Sequence, residues 1–192
     1  MSNEEKIVAA AIKHLNEEPT ASMARLAEAI GTSRATLHRH FASREALIHT
    51  LGVCSLDRWE ASQNEAGMAE AAASGDPERI AATLRAMMRL FTADADEYGF
   101  ALTDHFLAAM PDLVARAEEL EEREVAFYEA AQRAGVLRAD LPVRWISNAV
   151  LGILIAARDS LRRGDIARRD VPDLVLTTLL HGTDGDSQGE RP

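Results

Sequence analysis

The sequence predicts an all-α protein: an N-terminal three-helix unit containing a helix-turn-helix, followed by a larger C-terminal helical domain. Three observations carry that expectation. Apolar residues recur at three- and four-residue steps in one segment after another, and no strand-type alternation interrupts them. Several segments open on a capping Ser or Asp and close at Gly or before Pro. In Ser22–Leu51, two short helical segments are separated by Gly31-Thr32-Ser33.

The elements follow in order. Asn3 with Glu4 and Glu5 starts a helix at its dipole-positive end; Ile7, Val8, Ala11, Ile12 and Leu15 form its stripe, and it stops near Glu17, before Pro19. Ser22 caps a second helix with Met23, Leu26, Ala27 and Ile30 inward, which Gly31 ends in the left-handed conformation. Ser33 caps a third, Arg34 to His40, whose one apolar anchor is Leu37. Phe41 and Leu47 close this small core, and Ser43 starts a fourth helix whose pattern runs on through Leu51, Cys54, Leu56 and Trp59. That helix is expected to belong to both halves of the molecule.

A loop is expected at Gly67 to Gly75, where the chain is Ala-rich and weakly patterned. Asp76-Pro77-Glu78 then starts a helix with Ile80, Leu84, Met87, Met88 and Phe91 on a broad apolar face. A further helix is expected over Ala95 to Ala109, and a long one from Pro111-Asp112 to Ala134, ended by Gly135. The last two are Val143 to Arg163 and a helix from Val171 that ends near Gly182. The domains expected are thus 1–51, a helix-turn-helix unit; 52–182, a regulatory and dimerisation unit; and 183–192, a Gly/Asp/Ser-rich disordered tail.

A formal net charge of −10 looks wrong for a partner of DNA until its distribution is read. Residues 1–51 hold six basic and six acidic side chains, so the whole deficit lies beyond them, and Thr32 to Arg44 carries three arginines and no acid. The positive field is local, and the acidic remainder discourages binding in other orientations. A single cysteine excludes an internal disulfide, and no secretory signal is visible at the start, which together point to the cytoplasm. The longest apolar run, Trp145 to Ala157, is interrupted by Ser147 and Asn148 and is shorter than the roughly 20 residues a bilayer needs, so no membrane partner is expected.

A two-turn helix with one apolar residue and a cationic, hydrogen-bonding outer surface is a poor core element but suits the major groove. Its Arg34, Thr36 and Arg39 are the candidates for base edges, since Arg can donate twice to guanine and the Thr methyl can touch thymine, and Ala35 is a DNA-binding candidate beside them. Ser22, His38, His40 and Arg44 are candidates for phosphates, setting register. Glu28 and Glu45 read as solvated surface charges. In Ser22, Leu26-Ala27, Gly31-Thr32-Ser33, Thr36-Leu37-His38, His40-Phe41 and Ser43-Arg44-Glu45 the chain resembles the TetR (tetracycline-repressor) family of bacterial transcriptional regulators. The resemblance is dense over about thirty residues and has no insertions; it departs at His38, where the family has Tyr, and at Arg44, where it has Lys.

Gly135-Val136-Leu137-Arg138-Ala139-Asp140 extends the resemblance, because in that family such a turn leads into the first of two helices that pair with a second chain. In this sequence Trp145, Ile146, Ala149, Val150, Ile153, Leu154, Ala156 and Ala157 make the helix apolar on two sides, so it needs two things to pack against. The implied partners are a second copy, through helices at 143–163 and 171–181, a near-palindromic double-stranded operator and a small-molecule effector that relieves repression. Candidate effector residues are Met88, Phe91, His105, Phe106, Glu124, Tyr128, Trp145 and Asn148. Glu124 interrupts the 120–127 face, which admits a cationic ligand but is better explained by an edge position.

Other constellations carry less. His38 and His40 lie about 200° apart on a helix and cannot share a metal, so no metal or cofactor is expected. Asp104-His105 has no nucleophile or phosphate loop beside it, so no catalysis is expected. Cys54 sits at an apolar position and reads as a small buried residue. The competing readings are an effector-independent DNA-binding dimer, and a helical ligand carrier or enzyme with non-specific DNA affinity.

Overall fold

The computed structural model describes residues 3–103 and 107–181; among them the regular structure is helical and no strand occurs. They fall into two packed units, one drawn from Met1–Glu60 and Asp94–Leu120, the other from Ala61–Ala93 and Glu121–Pro192.

The first unit begins with α1 (Asn3–Glu17), α2 (Met23–Ile30) and α3 (Arg34–His40), each where its caps and stripe predict it. Ile7, Ala11, Ile12 and Leu15 from α1, Leu26 and Ala27 from α2, and Leu37 from α3 meet in one core that Phe41, Leu47, Ile48 and Leu51 close. Leu37 has no exposed surface, so a single apolar side chain anchors a two-turn helix. The fourth helix, α4 (Arg44–Glu65), starts on Ser43, whose hydroxyl accepts from the Ala46 N–H at 3.1 Å. It outruns the apolar pattern by two turns beyond Trp59, and there Ser62 and Gln63 are fully buried polar residues. Cys54 is half-buried rather than enclosed, and burial pushes its thiol above the ordinary range.

Two expectations fail. The loop expected at 67–75 is the helix α5 (Met68–Ser74), held between Gly67 and Gly75, both left-handed, with Met68 and Ala71 buried. Small residues alone do not make a loop when two of them find a core. The helix expected over 95–109 does not form either. Instead α6 (Pro77–Glu97) overruns its start and gives way to 3-10 turns at Gly99–Leu102 and Leu107–Ala109. Phe100 accounts for the break: it leaves the helical path to lie 2 % exposed in the core of the first unit, with Tyr98, Ala101, Leu107 and Met110 packed around that core.

The remaining helices are α7 (Pro111–Arg133), α8 (Val143–Arg163) and α9 (Val171–His181). In the first unit α4 and the start of α7 are joined by ion pairs from Asp57 and Glu60 to Arg116 at 2.7 and 2.9 Å and by His49 to Asp112 at 2.7 Å. Gly52 sits in the same seam, where a Cβ would lie 2.5 Å from Leu107 Cδ2 and 2.6 Å from Leu113 Cδ1. In the second unit α8 packs on α9. The expected helix end at Gly182 and the tail 183–192 lie outside the described residues.

Candidate nucleic-acid interface

The turn between α2 and α3 follows from three residues. Ser22 Oγ accepts from the Arg25 N–H at 3.3 Å and opens α2; Gly31, at φ 75°, closes it while Thr32 N–H reaches the Ala27 carbonyl at 2.9 Å. Ser33 Oγ then accepts from the Thr36 N–H at 3.0 Å. This sets the start of α3 one residue past the turn.

With Leu37 turned inward, Arg34, Ala35, His38 and Arg39 are exposed, and Thr36 and His40 are half-buried. The Thr36 hydroxyl shares a 2.9 Å bond with Ser33 Oγ, which fixes its rotamer and leaves its methyl a defined direction. None of the hydrogen bonds and ion pairs among the described residues engages Arg34, His38 or Arg39. Their donors face water at the end of a helix without an acid of its own. His40 turns the other way, with Nδ1 3.9 Å from Glu4 Oε2 and its ring 6.3 Å from that of Phe41.

Arg44 does something the sequence did not reveal. Its Nε donates to the Ala21 carbonyl at 3.1 Å and its Nη2 to the Pro19 carbonyl at 2.8 Å, so the guanidinium holds the loop between α1 and α2. The Arg-for-Lys departure was the available signal, since the planar guanidinium fork is pre-organised to donate to two carbonyls from separate nitrogens. Glu28 and Glu45 are exposed; Glu28 pairs with Arg25 at 3.0 Å, and hydrogen bonds from its own N–H and then from Ser43 hold the Glu45 carboxyl below its usual range.

The effector candidates separate. Met88, Phe91, Glu124 and Tyr128 are buried in the second unit. Glu124 is 5 % exposed, correcting the edge position that its interruption of the stripe suggested. Gln63 Nε2 donates to its Oε1 at 3.1 Å and the Tyr128 hydroxyl to its Oε2 at 3.4 Å. Burial first, and then the Glu124 charge, push the Tyr128 phenol well above its ordinary pKa. Trp145 is 61 % exposed and Asn148 is also exposed, so neither joins that buried group, while His105 and Phe106 lie outside the described residues. Gln63 was missed because a buried acid calls for a buried donor without saying which polar residue of Ser62-Gln63-Asn64 supplies it. Among the described residues no three His, Cys, Asp or Glu side chains are placed to hold a metal ion, and no helix is long and apolar enough to cross a membrane.

Residues 7–51 match the family model described as bacterial regulatory proteins, tetR family. Over 188 residues, 95 % of each chain, the protein is 26 % identical to the HTH-type transcriptional regulator NfxB of Pseudomonas aeruginosa. It is 25 % identical over 176 residues to the HTH-type transcriptional repressor LfrR of Mycolicibacterium smegmatis, covering 92 % of this chain and 87 % of that one. Among solved structures, the fold is shared with LfrR in complex with proflavine, at a TM-score of 0.75, 23 % identity and coverage of 94 % and 95 % of the two chains. It is shared also with PfmR of Thermus thermophilus, at a TM-score of 0.67, 24 % identity and coverage of 93 % and 98 %. With the capped, acid-free α3 presented outward on a three-helix core, residues 7–51 match the helix-turn-helix unit of the tetR family of bacterial regulatory proteins, and the chain is similar over nearly its whole length to HTH-type transcriptional regulators.

Proposed function

We propose that the chain represses transcription as a homodimer, seating two copies of α3 in major grooves about one helical turn, roughly 34 Å, apart on a near-palindromic operator. The observation that carries this is the outer face of α3, where Arg34, Ala35 and Arg39 are exposed beside the oriented Thr36. Ser22, His38 and Arg44 contact the flanking phosphates, while His40, turned towards Glu4, does not; the Ser22 hydroxyl can still donate while it accepts from Arg25. The second copy covers α8 and α9, whose Trp145, Leu151 and Leu174 are the large apolar side chains left exposed among the described residues. Gly152, with nothing within 4 Å of a Cβ built there, allows another helix to come close.

Release of the operator follows from an effector bound in the second unit around Met88, Phe91, Glu124 and Tyr128. A buried carboxylate favours a cationic aromatic compound, and the relative LfrR is known in complex with proflavine. Both Glu124 oxygens already accept bonds from within the chain, which favours a second reading, an effector-independent dimer in which the Glu124 cluster only builds the core. Selection of bound fragments from random DNA, followed by proflavine titration of the complex, separates the two. Release at micromolar proflavine supports the first reading, whereas neither release nor any rise in thermal midpoint supports the second.

A further inference from the structure

Asn16 stands in the last turn of α1, half-buried, and its carboxamide is engaged at both ends by backbone from elsewhere in the chain. Its Nδ2 donates to the carbonyl of Glu97 at 2.5 Å and reaches that of Asp96 at 3.5 Å, and its Oδ1 accepts from the Phe100 N–H at 2.8 Å. The two carbonyls belong to the final turn of α6, where an α-helix has no partners of its own for them. The N–H belongs to the 3-10 turn that carries Phe100 into the core shared with Ile7, Ala11, Leu26 and Leu37. One short amide therefore caps α6, opens the next turn and holds both against the helix that braces α2 and α3.

We infer that Asn16 is a positioning residue for operator binding, a latch that makes the end of α6 and the helix-turn-helix move together. The polar latch is matched by an apolar one, since Phe100 is buried in the same core cluster as residues of α1, α2 and α3, and its turn packs on α1. Upstream on α6, Met87, Met88 and Phe91 are buried residues of the second unit. A change of packing there is carried along one continuous helix to Glu97, where Asn16 hands it to α1. This assignment rests on the proposed function insofar as an effector is what changes that packing. The latch itself has a consequence without any effector. Coupling between sites is reciprocal, so operator DNA held by α3 must in turn alter the end of α6.

Amide hydrogen exchange of the full chain, free and bound to a selected operator, reads this directly. In the wild type, DNA is expected to slow exchange about tenfold or more over 34–44 and also over 94–103. In Asn16→Ala the slowing over 34–44 is expected to persist, while that over 94–103 disappears. Asn16→Asp keeps an acceptor for the Phe100 N–H but sets a carboxylate against two carbonyls, and is expected to behave the same way should the alanine variant fold poorly. A bond that only stabilised the fold would speed exchange over 94–103 in the free and bound states alike and preserve their ratio in both variants. That result, or a wild-type ratio near one over 94–103, overturns the assignment. Failure of proflavine to release the operator counts against the effector reading alone and leaves these arms intact.

Discussion

Arg44 donates to the carbonyl of Pro19 across a separation of 25 residues, tying the start of α4 to the loop that precedes α2. The bond is charge-assisted and belongs to a fork that also takes the Ala21 carbonyl. Arg44→Lys keeps the charge and loses the fork. It is expected to lower stability by about 1 kcal/mol in urea unfolding and to leave the salt dependence of DNA binding unchanged. Arg44→Ala is expected to cost more stability and to reduce the salt slope by about one, because a phosphate contact goes with the charge. An unchanged slope in the alanine variant would assign Arg44 to the loop alone.

Arg39 is exposed and Arg34 stands at the start of the same helix. Arg39→Ala is expected to weaken binding to a selected operator by about 1–3 kcal/mol and to random DNA by much less. Competition between the two DNAs in one titration measures the difference directly. Equal losses would move Arg39 from the bases to the backbone.

Leu174 is 45 % exposed on α9, and Gly152 on α8 has open space where a side chain would stand. Leu174→Glu and Gly152→Arg are each expected to raise the dimer dissociation constant at least about 100-fold, roughly 2.8 kcal/mol. Sedimentation at micromolar concentration measures this. Operator affinity should fall with it while helical content holds, since both sites lie on an outer face.

Tyr128 has no exposed surface and its hydroxyl faces Glu124, so the folded chain holds the phenolic proton well above the pKa of an exposed tyrosine, 10.0. Above that pH the unfolded chain gives up the proton and the folded one does not. Stability contributed by this group is therefore complete below pH 10.0 and declines as pH rises further. Tyr128→Phe is expected to be less stable near neutrality, where the hydroxyl bond is lost, and to show a flatter decline between about pH 10 and 11. Urea midpoints for the two proteins across that range check the sign.

Much of the reading head was legible because its signals are local. Ser22, Gly31 and Ser33 act on backbone groups within four or five residues, and each appears where a cap is needed. Leu37 announces its burial by being the only apolar side chain of standing in a polar helix. The misses share a different cause, in that each depends on a partner far away in sequence. Phe100 leaves a helical pattern because a core made of residues before position 52 has room for it, and nothing between Ala95 and Ala109 encodes that vacancy. Met68 and Ala71 turn a presumed loop into helix because a core accepts them. Glu124 was visible as an interruption, but its burial depended on Gln63, 61 residues earlier.

The Phe100 side chain has one more consequence, for anyone wishing to transplant this DNA reader. A segment cut at residue 51 would carry every base-facing candidate and yet lack Phe100, a buried member of its core cluster. Chimeras built by exchanging N-terminal segments between regulators should therefore borrow the turn around Tyr98–Leu102 as well, or supply a substitute for it at the splice.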